Sequence, residues 1–192
     1  NIFKATDSVK ILRGSFASVN DLTTYFRSDE KIITAKISEN ASRPILWYEN
    51  SQLIGDSITI YLEEGQIHSL TVDNNSFMLS QNKNFRQRFD QTSSDSVHLY
   101  FTNNTLQRAE FAGKVQSIYF MYDEETPNGL VKSTAHTAVI VFKEKEIDQV
   151  SLYGSPTSEY YPESKVEGLE RTFTLPKFVL KENRPHRKEF FN

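Results

Sequence analysis

The chain of 192 residues contains no cysteine. Thiol catalysis, cysteine-ligated zinc and a disulfide framework are therefore excluded. No run approaches the roughly 18 apolar residues of a membrane-spanning helix. Basic charge is also scarce: 22 Lys and Arg stand against 25 Asp and Glu, a net charge of −3. A dedicated nucleic-acid binder needs a strong basic field, so that class is set aside. Apolar residues are in short supply as well. They make up 38% even with nine tyrosines counted, against the usual 45–50% or so of globular domains. Leu, Ile, Val and Phe still reach about 27%, above the roughly 20% below which chains stay disordered. Much of the apolar material is aromatic or β-branched, with 14 Phe.

What is present is an internal repeat. GDSITIYLEEGQIHSLTVDN starts at Gly55, SDSVHLYFTNNTLQRAEFAG at Ser94 and AHTAVIVFKEKEIDQVSLYG at Ala135. A weaker copy, VNDLTTYFRSDEKIITAKI, covers 19–37. Asn20, Asp56, Asp95 and His136 align, at intervals of 36, 39 and 41 residues. Each copy reads as a strand, a polar turn and a returning strand.

Period-two alternation puts Ile58, Ile60 and Leu62 on one face, then Val97, Leu99 and Phe101, then Ala138, Ile140 and Phe142. The returning strands add Leu70 and Val72, Phe111, and Leu152. Ile67, Leu106, Ile147 and, in the weak copy, Ile32 stand three residues ahead of the returning pairs. That offset breaks alternation and predicts a bulge or a twist in each hairpin. The turns EEGQ and TNNT carry Gly and Asn, which accept positive φ; KEKE and RSDE are merely polar. PILWYENSQLIG, NNSFMLSQ and KVQSIYFMYDE read as further strand-like pieces, and no stretch holds a helical period. The predicted fold is all-β, an open antiparallel β-jelly roll built from repeated hairpins. The domain reading is 1–163 for the jelly roll and 164–192 for a C-terminal extension. TFTLPKFVL within that extension is a candidate edge strand, since Pro176 is tolerated only at an edge.

The pattern DS[IV]x[IL]Y[LF], a polar turn, then [IL]xx[LA]x[VF] resembles the OstA-like family of lipopolysaccharide transport proteins. That family includes the periplasmic bridge protein LptA and the soluble N-terminal domain of the LptD translocon. The match is best over 56–72 and 95–111. GKVQSIYFMYDE and YGSPTSEYYPE resemble the longer OstA-like proteins of Bacteroidetes-type bacteria. The resemblance implies a V-shaped jelly roll that holds lipopolysaccharide acyl chains in an apolar groove. It also implies a non-enzymatic role in the periplasm or at the outer membrane, with no cofactor. The implied partners are lipopolysaccharide and other transport proteins joined by edge-strand pairing, with head-to-tail self-association. The edges are expected at 15–26 and at 137–142 or 172–180. The chain starts at Asn1, so a processed or excised form lacking its signal peptide is expected.

The candidate lipid-binding residues are Ile58, Ile60, Leu62, Leu70, Val72, Val97, Leu99, Phe101, Phe111, Ile140, Phe142 and Leu152. His68, His98, His136 and His186 show no zinc-binding spacing. Asp56 and Asp95 recur, as a structural role at strand starts would require; paired catalytic acids would not repeat. The alternative is a carbohydrate-binding or adhesion module. Its platform would be Trp47, Tyr48, Tyr119, Tyr122, Tyr160 and Tyr161, taken as surface aromatics. Arg184, His186, Arg187 and Lys188 form a basic cluster able to pair with phosphates.

Overall fold

Alternating sequences bury one face each, and here they build strands long enough to serve two sheets. The computed structural model describes residues 1–190. Twelve strands form: β1 (Ile2–Arg13), β2 (Phe16–Phe26), β3 (Lys31–Ala35), β4 (Ile45–Tyr48), β5 (Ser51–Ile54) and β6 (Ser57–Glu63), then β7 (Gln66–Gln81), β8 (Phe89–Thr102), β9 (Thr105–Asp123), β10 (Thr126–Lys143), β11 (Glu146–Tyr153) and β12 (Thr157–Tyr161). All pairings are antiparallel. The described residues contain no α-helix.

The long strands change partners halfway. Residues 16–19 of β2 pair with β4, and 23–26 pair with β3. Residues 66–73 of β7 pair with β6, and 77–80 pair with β5. In β10, 137–143 pair with β11 and 130–134 with β12. The chain therefore forms two sheets that share their long strands and meet along a corner, which is the jelly roll expected from the repeats. The pieces NNSFMLSQ and KVQSIYFMYDE are the second halves of β7 and β9.

The corner explains the recurring positions. Register shifts fall at Asp73/Ser76, Ser93/Ser96 and Ala135/Thr137. Pairs in the left-handed region mark them: Asn74 and Asn75 lie inside the first shift, and Gly113 and Lys114 lie opposite the other two. Asp95 packs on Gly113, and His136 packs on Gly154. A Cβ on either glycine would come within 2.2 Å of Asp95 Oδ2 or 2.5 Å of His136 Cβ. Both also have positive φ, 79° and 77°, so glycine is required twice over.

The expected irregularity is present as a bulge in three of the four hairpins, while β2 and β3 of the weak copy pair without a register shift. Leu62 pairs with Ile67 while Tyr61 pairs with Ser69, which leaves His68 as the extra residue. Gln107 and Asp148 are the extra residues in the next two hairpins. The turn residues Glu64–Gly65, Asn103–Asn104 and Glu144–Lys145 all have positive φ. KEKE thus adopts the same left-handed turn as the others despite lacking Gly or Asn. RSDE does not; Arg27–Asp29 form a short 3-10 turn.

The C-terminal segment differs from expectation. Residues 172–180 form no strand. The segment crosses the outer face of one sheet instead of adding to an edge, so no ladder is available to it. Two buried glutamines replace the ladder. Gln91 Nε2 donates to the Phe173 carbonyl (2.9 Å), and the Leu175 N–H donates to Gln91 Oε1 (2.8 Å). Gln52 does the same with the Val179 carbonyl (2.7 Å) and the Lys181 N–H (2.8 Å). Beneath the segment, Val166 is fully buried with Ile118, Phe120 and Leu130. Arg88 anchors its start, 2% exposed at the side chain and paired with Glu163 and Glu170. Its guanidinium lies over Phe85 and Phe120, each 5.3 Å to the ring centre.

The sheet edges also move. β2 and the 137–142 part of β10 are paired on both sides, so neither is an edge. The terminal strands are β1 on one side and β11 with β12 on the other.

Candidate functional site

The inward face of the first sheet is laid out as ladders. One row runs Ile58, Val72, Val97, Phe111, Ala138 and Leu152 across successive strands. The next runs Ile60, Leu70, Leu99, Ala109, Ile140 and Val150. The bulges then set Leu62 against Ile67, Phe101 against Leu106 and Phe142 against Ile147. All twelve sequence-predicted residues belong to this one stripe.

The stripe is not uniformly covered. Ile58, Leu70 and Val72 are fully buried, and Val97, Leu99 and Phe101 nearly so. Ile140, Phe142 and Leu152 are only half-buried, and Val150 is 49% exposed. The facing sheet explains the gradient. Its opposing row runs Leu46, Leu53, Met78, then Thr92, Ser117 and Ser133. Leu and Met fill the space over β6 to β8. Thr and Ser leave it unfilled over β9 to β11, because close packing needs volume on both sides.

The result is a cleft of about 630 Å³ between the sheets, a volume within the roughly 300–1,000 Å³ of small-molecule sites. Phe111, Ile140 and Phe142 line it, as do Met78, Leu106, Ile147 and Val150. Of the twelve predicted residues only these first three reach the cleft wall. The other nine do not line it. Met78, Thr92 and Ser117 escaped the sequence reading because they lie on the halves of β7, β8 and β9 outside the repeated hairpins, where in β8 the polar stretch FDQTSSDS hides a wall of small side chains.

One end of the cleft is shut by aromatic packing. Phe16 and Tyr48 stack at 4.6 Å, and Phe101 meets them edge-on at 5.6 and 5.5 Å. The Tyr48 hydroxyl donates to the Asn104 carbonyl across the sheets (3.0 Å). Lys145 Nζ reaches Glu49 Oε1 at 2.8 Å, a second tie between turns of opposite sheets. Asp90 also faces the cleft. Burial pushes its carboxyl up to about 7, although the Phe120 N–H donates to it at 2.9 Å and works the other way. Tyr122, stacked on Phe85 at 5.6 Å, is pushed up to about 12, mainly by burial.

The other candidates resolve into structural parts. Burial works against the charge of Asp56, but Lys36, Arg43 and Asn75 outweigh it and hold the carboxyl below its ordinary range. Their contacts are 3.1, 2.7 and 3.1 Å. Asp56 and Asp95 each brace a separate turn of the corner. Among the described residues no group of three His, Cys, Asp or Glu is arranged to hold a metal ion. Trp47, expected on the surface, is 5% exposed in a cluster with Ala17 and Ile45. Tyr48 is turned inward. Arg184 of the basic cluster donates to the Glu49 and Ser15 carbonyls and clamps the C-terminal segment.

No family model matches the chain, and no curated protein sequence does. A solved structure matches: LptH of Pseudomonas aeruginosa, described as the LptA-homologous periplasmic component of the conserved lipopolysaccharide transport device. The likeness covers 84% of this chain and 96% of that one, with 10% identity and a TM-score of 0.50. At that identity the likeness speaks for the backbone, and what it establishes is that this chain has the open β-jelly-roll fold of LptH.

Proposed function

We propose that the protein binds the acyl chains of lipopolysaccharide in the cleft between its sheets and passes them on in the periplasm, without catalysing a reaction. The observation that carries this reading is the apolar stripe that leaves the packed core and opens into the 630 Å³ cleft. LptH, which shares the fold, works in lipopolysaccharide transport. A buried methylene is worth about 0.8 kcal/mol, so a chain of about 12 carbons gains up to roughly 9 kcal/mol before ordering costs. That suffices to hold a lipid in water, and a neighbouring cleft of the same kind accepts it at little cost. Such neighbours would join through β1 on one side and β11 or β12 on the other, by strand addition. The full set of twelve stripe residues forms the binding surface if the sheets part further when loaded.

Photocrosslinking tests the reading. Probes at Ile140 and Phe142 are expected to label lipopolysaccharide saturably, while a probe on the exposed outer face at Tyr61 stays blank. Thr92→Leu with Ser117→Leu, which fills the facing wall, is expected to abolish labelling in a protein that still folds. Equal labelling from all three positions, or none from the cleft, would overturn it. The carbohydrate-binding alternative loses Trp47 and Tyr48 from its platform, since both point into packed clusters, and keeps Tyr119 and Tyr160 as exposed aromatics.

A further inference from the structure

The rim of the cleft carries charge of predominantly one sign. Glu124 and Glu125 come from the β9–β10 turn, Glu146 from the start of β11, and Lys83 from the β7–β8 loop. All four are exposed. Glu49 and Lys145 also line the rim, but they neutralise each other at 2.8 Å. Three carboxylates therefore face one remaining ammonium. Asp90 lies on the same wall and adds no positive charge. No arginine lines the cleft among the described residues, although arginine is the side chain best suited to hold phosphate.

This pattern has a consequence for what enters. A lipid with its chains in the cleft leaves its head group at the rim. A phosphate there would sit among like charges with no fork of donors to receive it, and would carry a Coulomb cost at low salt. A neutral or cationic head group would not. We infer that this cleft selects acyl lipids whose head group carries no net negative charge where the chains emerge. The inference rests on the proposed lipid-binding reading and names the ligand class of that same cleft. Within the proposed lipopolysaccharide ligand, this favours forms whose chain-bearing sugars present no phosphate at the rim.

The test keeps the chain constant and varies the head group. Dodecyl phosphate, dodecyl maltoside and dodecyltrimethylammonium, each below its micelle concentration, compete with an apolar fluorescent dye bound to the full chain. Chelator is present throughout, and the reference condition is low salt. Dodecyl phosphate is expected to displace the dye roughly five-fold less effectively than the other two. The gap is expected to close in about 0.5 M salt, where screening falls to a few ångströms. It should also close in the triple variant Glu124→Gln, Glu125→Gln, Glu146→Gln, whose exposed positions leave the fold intact. Dodecyl phosphate binding as well as or better than the others, or a gap that survives the triple variant, would overturn the inference while leaving the lipid cleft in place. If none of the three displaces the dye, the lipid-binding reading itself falls.

Discussion

Asp90 is the residue at which folding and the cleft meet most directly. Its carboxyl titrates near 7 in the folded chain, against an ordinary value of 3.8, chiefly because it is buried. Between those values the native state keeps a proton that the unfolded state has lost. Stability contributed at this position is therefore greatest below about pH 4, declines up to about pH 7 and is level above it. Asp90→Asn is expected to remove that decline and to raise stability near neutral pH by about 1–2 kcal/mol. The cleft admits some water to Asp90, which trims the cost of its charge. Urea unfolding of both proteins at about pH 4.5 and about pH 7.5 checks this; a parallel pH dependence in the two would contradict it. Gly113 and Gly154 show the opposite kind of residue, fixed by geometry alone, because their neighbours Asp95 and His136 occupy the space of a Cβ.

Turns and straps decide the stability of the elements. Glu64 occupies the left-handed region at φ 49°, where a Cβ with a long side chain is disfavoured and Asn is tolerated. Glu64→Asn completes an Asn-Gly turn and is expected to stabilise the β6–β7 hairpin by about 0.5–1 kcal/mol. The readout is a higher urea midpoint with an unchanged slope. The C-terminal segment depends on Gln52 and Gln91 as the hairpins depend on their ladders. Gln91→Ala strands the Phe173 carbonyl and the Leu175 N–H and is expected to cost about 1–3 kcal/mol. Hydrogen exchange should localise the loss to 166–181, with the hairpin amides of β6 to β9 unchanged; uniform acceleration would show that the segment is not a separable strap. The hairpins, their bulges and the polar turns were legible in the sequence because each is set by residues within about 15 positions. The segment was not. Its backbone partners are side chains some 80 to 130 positions away, and no local period records them.

At the scale of the molecule, the property that matters is that two sheets meeting along a corner are filled unevenly. Over β6 to β8 large side chains face large ones, and the stripe is core. Over β9 to β11 the same stripe faces Thr92, Ser117 and Ser133, and it is a wall of a cleft. The ends of the molecule follow the same geometry, with β1 closing one side of both sheets and β11 and β12 dividing the other between them.

By itself the sequence determined the repeated hairpins, the recurring positions and the face on which the apolar stripe lies, though not β1 or the corner. Period-two alternation and positive-φ turns are short-range physics, and they act the same in any fold that contains them. Only the tertiary structure decided which part of the stripe is packed and which is open. That depends on the volume of side chains across the sheet, contributed by residues whose own neighbourhood reads as polar. It also decided that Trp47 is core, that residues 172–180 cross a sheet face, and that the rim is acidic. Each of these is set by which surfaces the corner brings together, and a local pattern carries no record of the surface it will face.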